Sequence, residues 1–314
     1  MAFKLPNRPS TRPTPSELAD FAELLALSNG KCSATEIQKY LSRIDDNDKN
    51  FGIEDTDWEN ENLSDAMMAE IGYREKACPD GYPFQTNKTG SCLRVKKIKK
   101  SVKPLIYKYL LMATRLNMGN EKIQADIDGT QLMEDLGAAV LRCYLGSQSQ
   151  TTVFGTAKKG GFQKKVIDLC HALKEGGTFK NIDAGSTNAN DDGLDIVGWL
   201  PFTDMLPAKL SVFGQCKTGT EWQDHLTRLN PRAFIDCSMS GKIIVDPVKA
   251  YFIAESADRS QWSRHSRYSG IFFDRCRIVD LSHDLEIELT RKIETWTNAA
   301  FKKLTEWNWI APKS

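Results

Sequence analysis

Two short stretches, 191–199 and 210–217, hold the residues best suited to chemistry. The first passes from an acidic cluster (Asp191, Asp192, Asp195) into Ile196, Val197 and Trp199. The second passes from Leu210, Val212 and Phe213 into Gln215, Cys216 and Lys217. Both read as short strands with polar residues at one end. Side chains alternate across a strand, so Gln215 and Lys217 share one face and Cys216 takes the other. Pairing of the two strands would set Asp195 beside Gln215 and Lys217. A carboxylate, an amide oxygen and an ammonium at one point make a divalent-metal site with a charged helper. Hard oxygen donors suit Mg²⁺ or Mn²⁺, and the ammonium offsets negative charge or holds a water. Asp192 is an alternative to Asp195 as the acid; Asp195 is preferred because it abuts the apolar run.

The elements that must position these residues follow from periodicity. Asp128-Gly129-Thr130 caps a helix over 131–145 that turns apolar on most sides from Leu136 onward, so it is expected to be buried. Glu134 and Asp135 lie in its first turns, where the helix dipole alone accounts for acids. If that helix packs beside the strands, Glu134 completes the donor set. Around it, strands are expected at 151–154, 243–245, 250–253, 271–273 and 277–279. Helices are expected at 162–173, 218–229 and about 284–309. Upstream, helices at 16–29, 35–44, 63–77 and 103–116 and a hairpin at 82–95 are separated by an acidic loop at 45–65. The fold class is thus α/β (α+β): a central mixed β-sheet flanked by helices, with a mainly helical N-terminal region. The expected organisation is a flexible, Pro-rich tail (1–15), an N-terminal accessory region (16–116) and a catalytic domain (117–314).

Formal net charge is +1, so any argument for a polyanionic partner must be local. The most basic run is Arg94, Lys96, Lys97, Lys99, Lys100 and Lys103. A solvated linker accounts for it as well as a phosphate-contact surface does. Lys158 and Lys159 occupy a glycine-containing loop without P-loop spacing, and Arg264 sits among aromatic residues at 258–268. His225 and His265 read as surface or capping residues. The eight cysteines form no Cys-x-x-Cys pair, which suits a reducing, cytoplasmic setting. No apolar run nears the ~20 residues of a membrane span, and the N-terminus is not a secretory signal.

Together, Asp-Gly-Leu-Asp-Ile at 192–196 and the strand ending Gln-Cys-Lys at 215–217 resemble the PD-(D/E)xK nuclease superfamily. The likeness is to its restriction-endonuclease-like, Mrr-type branch, which has an acid on a helix, a strand headed by Gly-x-Asp, and Gln-x-Lys in place of Glu-x-Lys. It covers about 131–229. The resemblance implies that Glu134, Asp195, Gln215 and Lys217 take the catalytic positions, with Glu134, Asp195 and Gln215 toward the metal. It implies a Mg²⁺-dependent endodeoxyribonuclease in restriction or anti-phage defence. DNA is then the partner, with contacts from Lys96, Lys97, Lys99, Lys100, Lys158, Lys159 and Arg264. A homo-oligomer is expected for double-strand cutting, and any ATPase or helicase would be a separate subunit, since the chain carries no NTPase motif. Two features depart from the pattern. Lys217 follows Asp195 by 22 positions, so the segment at 200–209 must loop out, and the proline before the acid is not kept. The alternative reading is a non-catalytic nucleic-acid-binding or regulatory subunit of a defence complex.

Overall fold

The stretch Ser211–Lys217 forms the middle strand of a five-stranded mixed sheet and is buried along all but its last residue. The structure, a computed structural model, describes residues 2–9, 13–45, 53–97, 101–155, 161–180 and 193–306. It is mixed α/β and about half helix.

In chain order the first elements are α1 (Pro15–Asn29), β1 (Lys31–Ser33), α2 (Ala34–Asp45), α3 (Ile53–Ala77), β2 (Phe84–Thr86), β3 (Cys92–Val95) and α4 (Lys103–Arg115). Strands β1, β3 and β2 make a small antiparallel sheet. A two-residue-strand hairpin, β4 (Ile123–Gln124) and β5 (Ile127–Asp128), leads into α5 (Gly129–Leu145). Then come β6 (Gln150–Val153), α6 (Phe162–Leu173), β7 (Ile196–Trp199), β8 (Ser211–Lys217), α7 (Pro231–Ser238), β9 (Val248–Ile253), α8 (Trp262–Ser269), β10 (Ile271–Phe273), α9 (Arg275–Asp280) and α10 (Ile287–Glu306). The large sheet has the order β10-β9-β8-β7-β6. Strands β6, β7 and β8 form an antiparallel meander, and β9 and β10 run parallel to β8.

The two faces of the sheet are packed differently. Ile196, Val212, Cys216, Ala250 and Phe252 join a core shared with α5, α4, α10 and the N-terminal helices. Residues of opposite parity, Val197, Trp199 and Phe213, pack with Phe154 under α6 and α7. Tyr251, Ile253 and Phe272 pack under Trp222 and Trp262. Gln215 belongs to this second face and lies opposite Tyr251.

The N-terminal region shares the main core rather than resting on it. Asp20 of α1 accepts from Arg74 of α3, Arg115 of α4 and Arg275 of α9, each at 2.7 Å, and all four side chains are fully buried. Arg74 also binds Glu23 at 2.9 Å, and Tyr82 and Tyr107 donate to the same carboxylate. Burial raises the Asp20 carboxyl, but the Arg275, Arg115 and Arg74 guanidiniums more than offset it and hold it far below the ordinary range. The stretch expected to be a flexible tail is partly built in. Phe3 and Leu5 are buried, Leu5 donates to the Arg115 carbonyl at 2.7 Å, and Thr14 closes a capping box with Glu17.

Four expectations about elements differ. Helix α3 begins ten residues before the expected start, because residues 53–71 hold neither Gly nor Pro and an acidic start suits a helix N-terminus. The segment 218–229 is not an α-helix. It turns at Gly219 (φ +75°) and contains a 3-10 turn, Trp222–His225, held by the Trp222 indole N–H on Glu255 at 2.7 Å. The helix forms later, at Asn230-Pro231, where Asn230 caps Ala233. Residues 243–245 form no strand among the described residues: Ile244 donates to Glu175 instead, and its side chain is exposed. Residues 277–279 are helical within α9, because Asp274 caps Arg277. His265, expected at the surface, is buried edge-on against Trp222 at 4.8 Å. Among the described residues, no helix is long and apolar enough to cross a membrane.

Candidate active site

Asp195 stands one residue before β7, where three strands fix its backbone and side chain. Its N–H donates to Gly214 of β8 at 2.9 Å. Its carbonyl accepts from both Phe154 and Gly155, at 2.7 and 2.9 Å, a bulge that ends β6. Its Oδ2 accepts from the Cys216 N–H at 2.7 Å. The β7–β8 register, extended by one residue, sets Asp195 opposite Gln215. The strand pairing read from sequence is therefore present, and the 200–210 connection loops out beyond Trp199 and Ser211.

Gln215 is completely buried, and neither its Oε1 nor its Nε2 has a hydrogen-bond partner among the described residues. A buried amide without partners costs about 1–3 kcal/mol. Apolar clusters flank it on both sides of the same sheet face. Gly193 permits the approach: a Cβ there would lie 2.7 Å from Gln215 Nε2, and its φ of +80° already favours glycine.

Glu134 reaches the site from α5. Gly137, one turn later on the same helix face, lets α5 press onto the sheet; a Cβ there would lie 2.8 Å from Cys216 Sγ. The buried Glu134 carboxylate then lies over Gly155, where a Cβ would meet Oε2 at 2.7 Å. Lys165 of α6 holds the Gly155 carbonyl at 2.6 Å. Asp135 turns elsewhere, to a groove shared with Glu286, Glu288 and Lys292, where burial holds its carboxyl above the ordinary range despite Lys292.

Lys217 closes β8 on the face of Gln215. It is half-buried; its carbonyl accepts from the Ala254 N–H at 3.0 Å, and its ammonium makes no ion pair among the described residues. The Cys216 thiol, between these groups on the opposite face, reports their field. Burial first, then Asp195 and Glu134, push its pKa well up, and Lys217 opposes them. Glu134, Asp195, Gln215 and Lys217 thus gather at one end of the sheet. Among the described residues no three His, Cys, Asp or Glu side chains form a metal cluster; the gathered oxygen donors are two carboxylates and an amide.

The expected phosphate contacts are scattered. Lys96 pairs with Glu75 at 3.1 Å and lies 5.8 Å from the Tyr82 ring. Arg94 and Lys97 are exposed, and with Lys96 they line a groove of about 600 Å³ beside Gly30, Tyr82 and Gln85. Lys103 pairs with Asp280 at 3.8 Å. Arg264 is exposed on α8, which packs on β9 and β10 rather than near β7. Lys99, Lys100, Lys158, Lys159 and Asp192 lie outside the described residues.

Sequence reasoning gave no site role to Gly155, Lys165 or Arg228, and named Gly193 only as the glycine of the Gly-x-Asp motif. Arg228 flanks Gly193, its Cγ 3.2 Å from where a Cβ would be. Two of these had a signal: a glycine one residue past a strand and a glycine before an acid both mark close approaches. Compared with protein-family models, curated proteins and solved structures, the chain matches none.

Proposed function

We propose that the chain is a Mg²⁺- or Mn²⁺-dependent nuclease that hydrolyses DNA phosphodiester bonds. The observation that carries the reading is the buried Gln215 amide, without a hydrogen-bond partner among the described residues, set between the Asp195 position and Lys217. A buried amide whose oxygen meets no hydrogen-bond donor among the described residues suits a ligand for a cation. Its Oε1, with the Glu134 and Asp195 carboxylates, is the hard oxygen set that a small divalent cation takes. The two glycine cradles keep room for these donors. A helix carrying an acid, a strand headed by Gly-x-Asp and a neighbouring strand ending Gln-x-Lys are also the parts that a restriction-endonuclease-like core requires.

A divalent cation held there supplies Lewis-acid polarisation of the phosphodiester and acidifies water. The chain's own groups do the rest. The Cys216 N–H fixes the Asp195 carboxylate in one orientation, so no reorganisation is needed when substrate arrives. Gly155, held by Lys165, sets the depth of Glu134. The Lys217 ammonium orients the attacking water and offsets the charge that develops on the phosphoryl oxygens. The apolar clusters beside Gln215 exclude bulk water and strengthen both effects. One such site cuts one strand, so double-strand cutting takes two copies; a role in restriction or anti-phage defence is the reading that the resemblance suggests.

The test is cleavage of supercoiled, linear and single-stranded DNA and of RNA, with Mg²⁺, Mn²⁺ or EDTA. DNA should be cut only with metal, and Asp195→Ala and Lys217→Ala should each abolish cutting. Undiminished cleavage in both variants overturns the site.

A further inference from the structure

We infer that Arg228 is a substrate-contacting residue of this site, its guanidinium taking a backbone phosphate of the bound strand beside the donor set. This rests on the nuclease reading and names how the same site grips its substrate.

Periodicity alone predicts a helix over 218–229, which does not single out Arg228. The segment is instead a loop tied to the sheet at several points. Tyr251 Oη donates to the Trp222 carbonyl at 2.9 Å, and Lys249 Nζ donates to the Leu226 carbonyl at 2.6 Å. Arg228 N donates to the His225 carbonyl at 3.1 Å, and Leu226 and Leu229 are buried on either side. Two residues on, Asn230 caps α7. Arg228 is thereby delivered to a defined place, against Gly193.

At Gly193 two side chains meet. A Cβ there would lie 2.7 Å from Gln215 Nε2 and 3.2 Å from Arg228 Cγ. The Arg228 stem therefore packs beside the buried amide, and the residue as a whole is exposed. Its field reaches the same phenol as the field of Asp195: burial, then Asp195, raise the Tyr251 hydroxyl, and Arg228 opposes them. Lys217 is a compact point charge, whereas a guanidinium presents a planar fork that fits phosphate oxygens two at a time. A cation of each kind beside a donor set suits a substrate gripped at one phosphate and cut at another.

The experiment uses the full chain with Arg228→Ala, Arg228→Gln and Arg228→Lys. Cleavage of a short DNA duplex gives kcat and KM. Binding of the same duplex with Ca²⁺ in place of Mg²⁺ gives the salt dependence. Arg228→Ala should raise KM about tenfold, as loss of one charge-assisted pair would, with a smaller change in kcat. The slope of log K against log salt should fall by about 0.9, one phosphate's worth. Arg228→Lys should keep the full slope and recover part of KM. If Arg228→Ala does not fold, Arg228→Gln keeps the stem over Gly193 and carries the same readings. An unchanged KM and slope in a wild type that cleaves overturns the inference alone. Equal losses in the Ala and Lys variants with an unchanged slope assign Arg228 a structural role and also overturn it. A wild type that cuts nothing with Mg²⁺ or Mn²⁺ overturns the nuclease reading, and this inference falls with it.

Discussion

The Oδ2 of Asp195 accepts a 2.7 Å hydrogen bond from the main-chain N–H of Cys216. That N–H lies between Gln215 and Lys217, so the acid of one strand is indexed to the two polar residues of the next. The bond separates the structural duty of Asp195 from its chemical one. Asp195→Asn can still accept from Cys216 and should melt within a few degrees of wild type, yet cleave more than ~100-fold slower, beyond the range seen for outer-shell losses. Asp195→Ala strands a buried donor and should also lose about 1–3 kcal/mol in urea unfolding. If the Asn variant cuts at the wild-type rate, the carboxylate is not a donor.

Gln215 sets stability against function. Gln215→Met removes two buried polar atoms that have no hydrogen-bond partners among the described residues. It should raise stability by about 1–3 kcal/mol while abolishing cleavage. A less stable Met variant would mean that the amide has partners in solution and is structural.

Gly155→Ala would place a methyl against the Glu134 carboxylate, 2.7 Å from Oε2. Cleavage should drop about 10–100-fold through displacement of Glu134. Titrating Mg²⁺ should show a higher half-saturation point. Unchanged metal dependence would remove Glu134 from the donor set.

The acid limb of stability should belong largely to Asp20. The folded-state pKa of Asp20 is depressed, so its contribution is present above its unfolded pKa and drains as pH falls below about 4, where the unfolded chain takes up the proton first. Glu23 works the other way: burial, against the pull of Arg74, raises its carboxyl, so it binds a proton more readily when folded. Asp20→Asn should cost about 3–5 kcal/mol at pH 7 by leaving buried guanidiniums short of charge. It should also flatten the decline between pH 5 and 3. Parallel curves for the two proteins would place the acid sensitivity elsewhere.

The basic groove offers an electrostatic check. Arg94 and Lys97 are exposed along it, whereas Lys96 is engaged by Glu75. If the groove tracks DNA, the double variant Arg94→Ala, Lys97→Ala should lower the salt slope of duplex binding by about 1.8 without changing kcat. A slope equal to wild type would make the groove irrelevant to DNA.

Local pattern was enough to locate the candidate site and most of its scaffold. Period-two alternation set Gln215 and Lys217 on one face, the Asp128 cap opened the helix that carries Glu134, and the antiparallel pairing of β7 and β8 followed from two apolar runs with polar ends. These are short-range consequences of side-chain geometry, and a linear chain carries them in full. Other features depend on which surfaces meet. Only packing decided that Asp20 would gather three guanidiniums from α3, α4 and α9, tying residues as far apart as 20 and 275 into one buried network. Packing likewise turned Glu134 toward Gly155 and Asp135 away, a choice that adjacent acids on one helix do not announce. It pulled 218–229 out of a helix, because Trp222 is more stable buried with its N–H on Glu255 than left on a solvated turn. The same displacement set Arg228 beside Gln215, since a residue's distance from a site depends on the path of the backbone between them, which tertiary contacts alone fix.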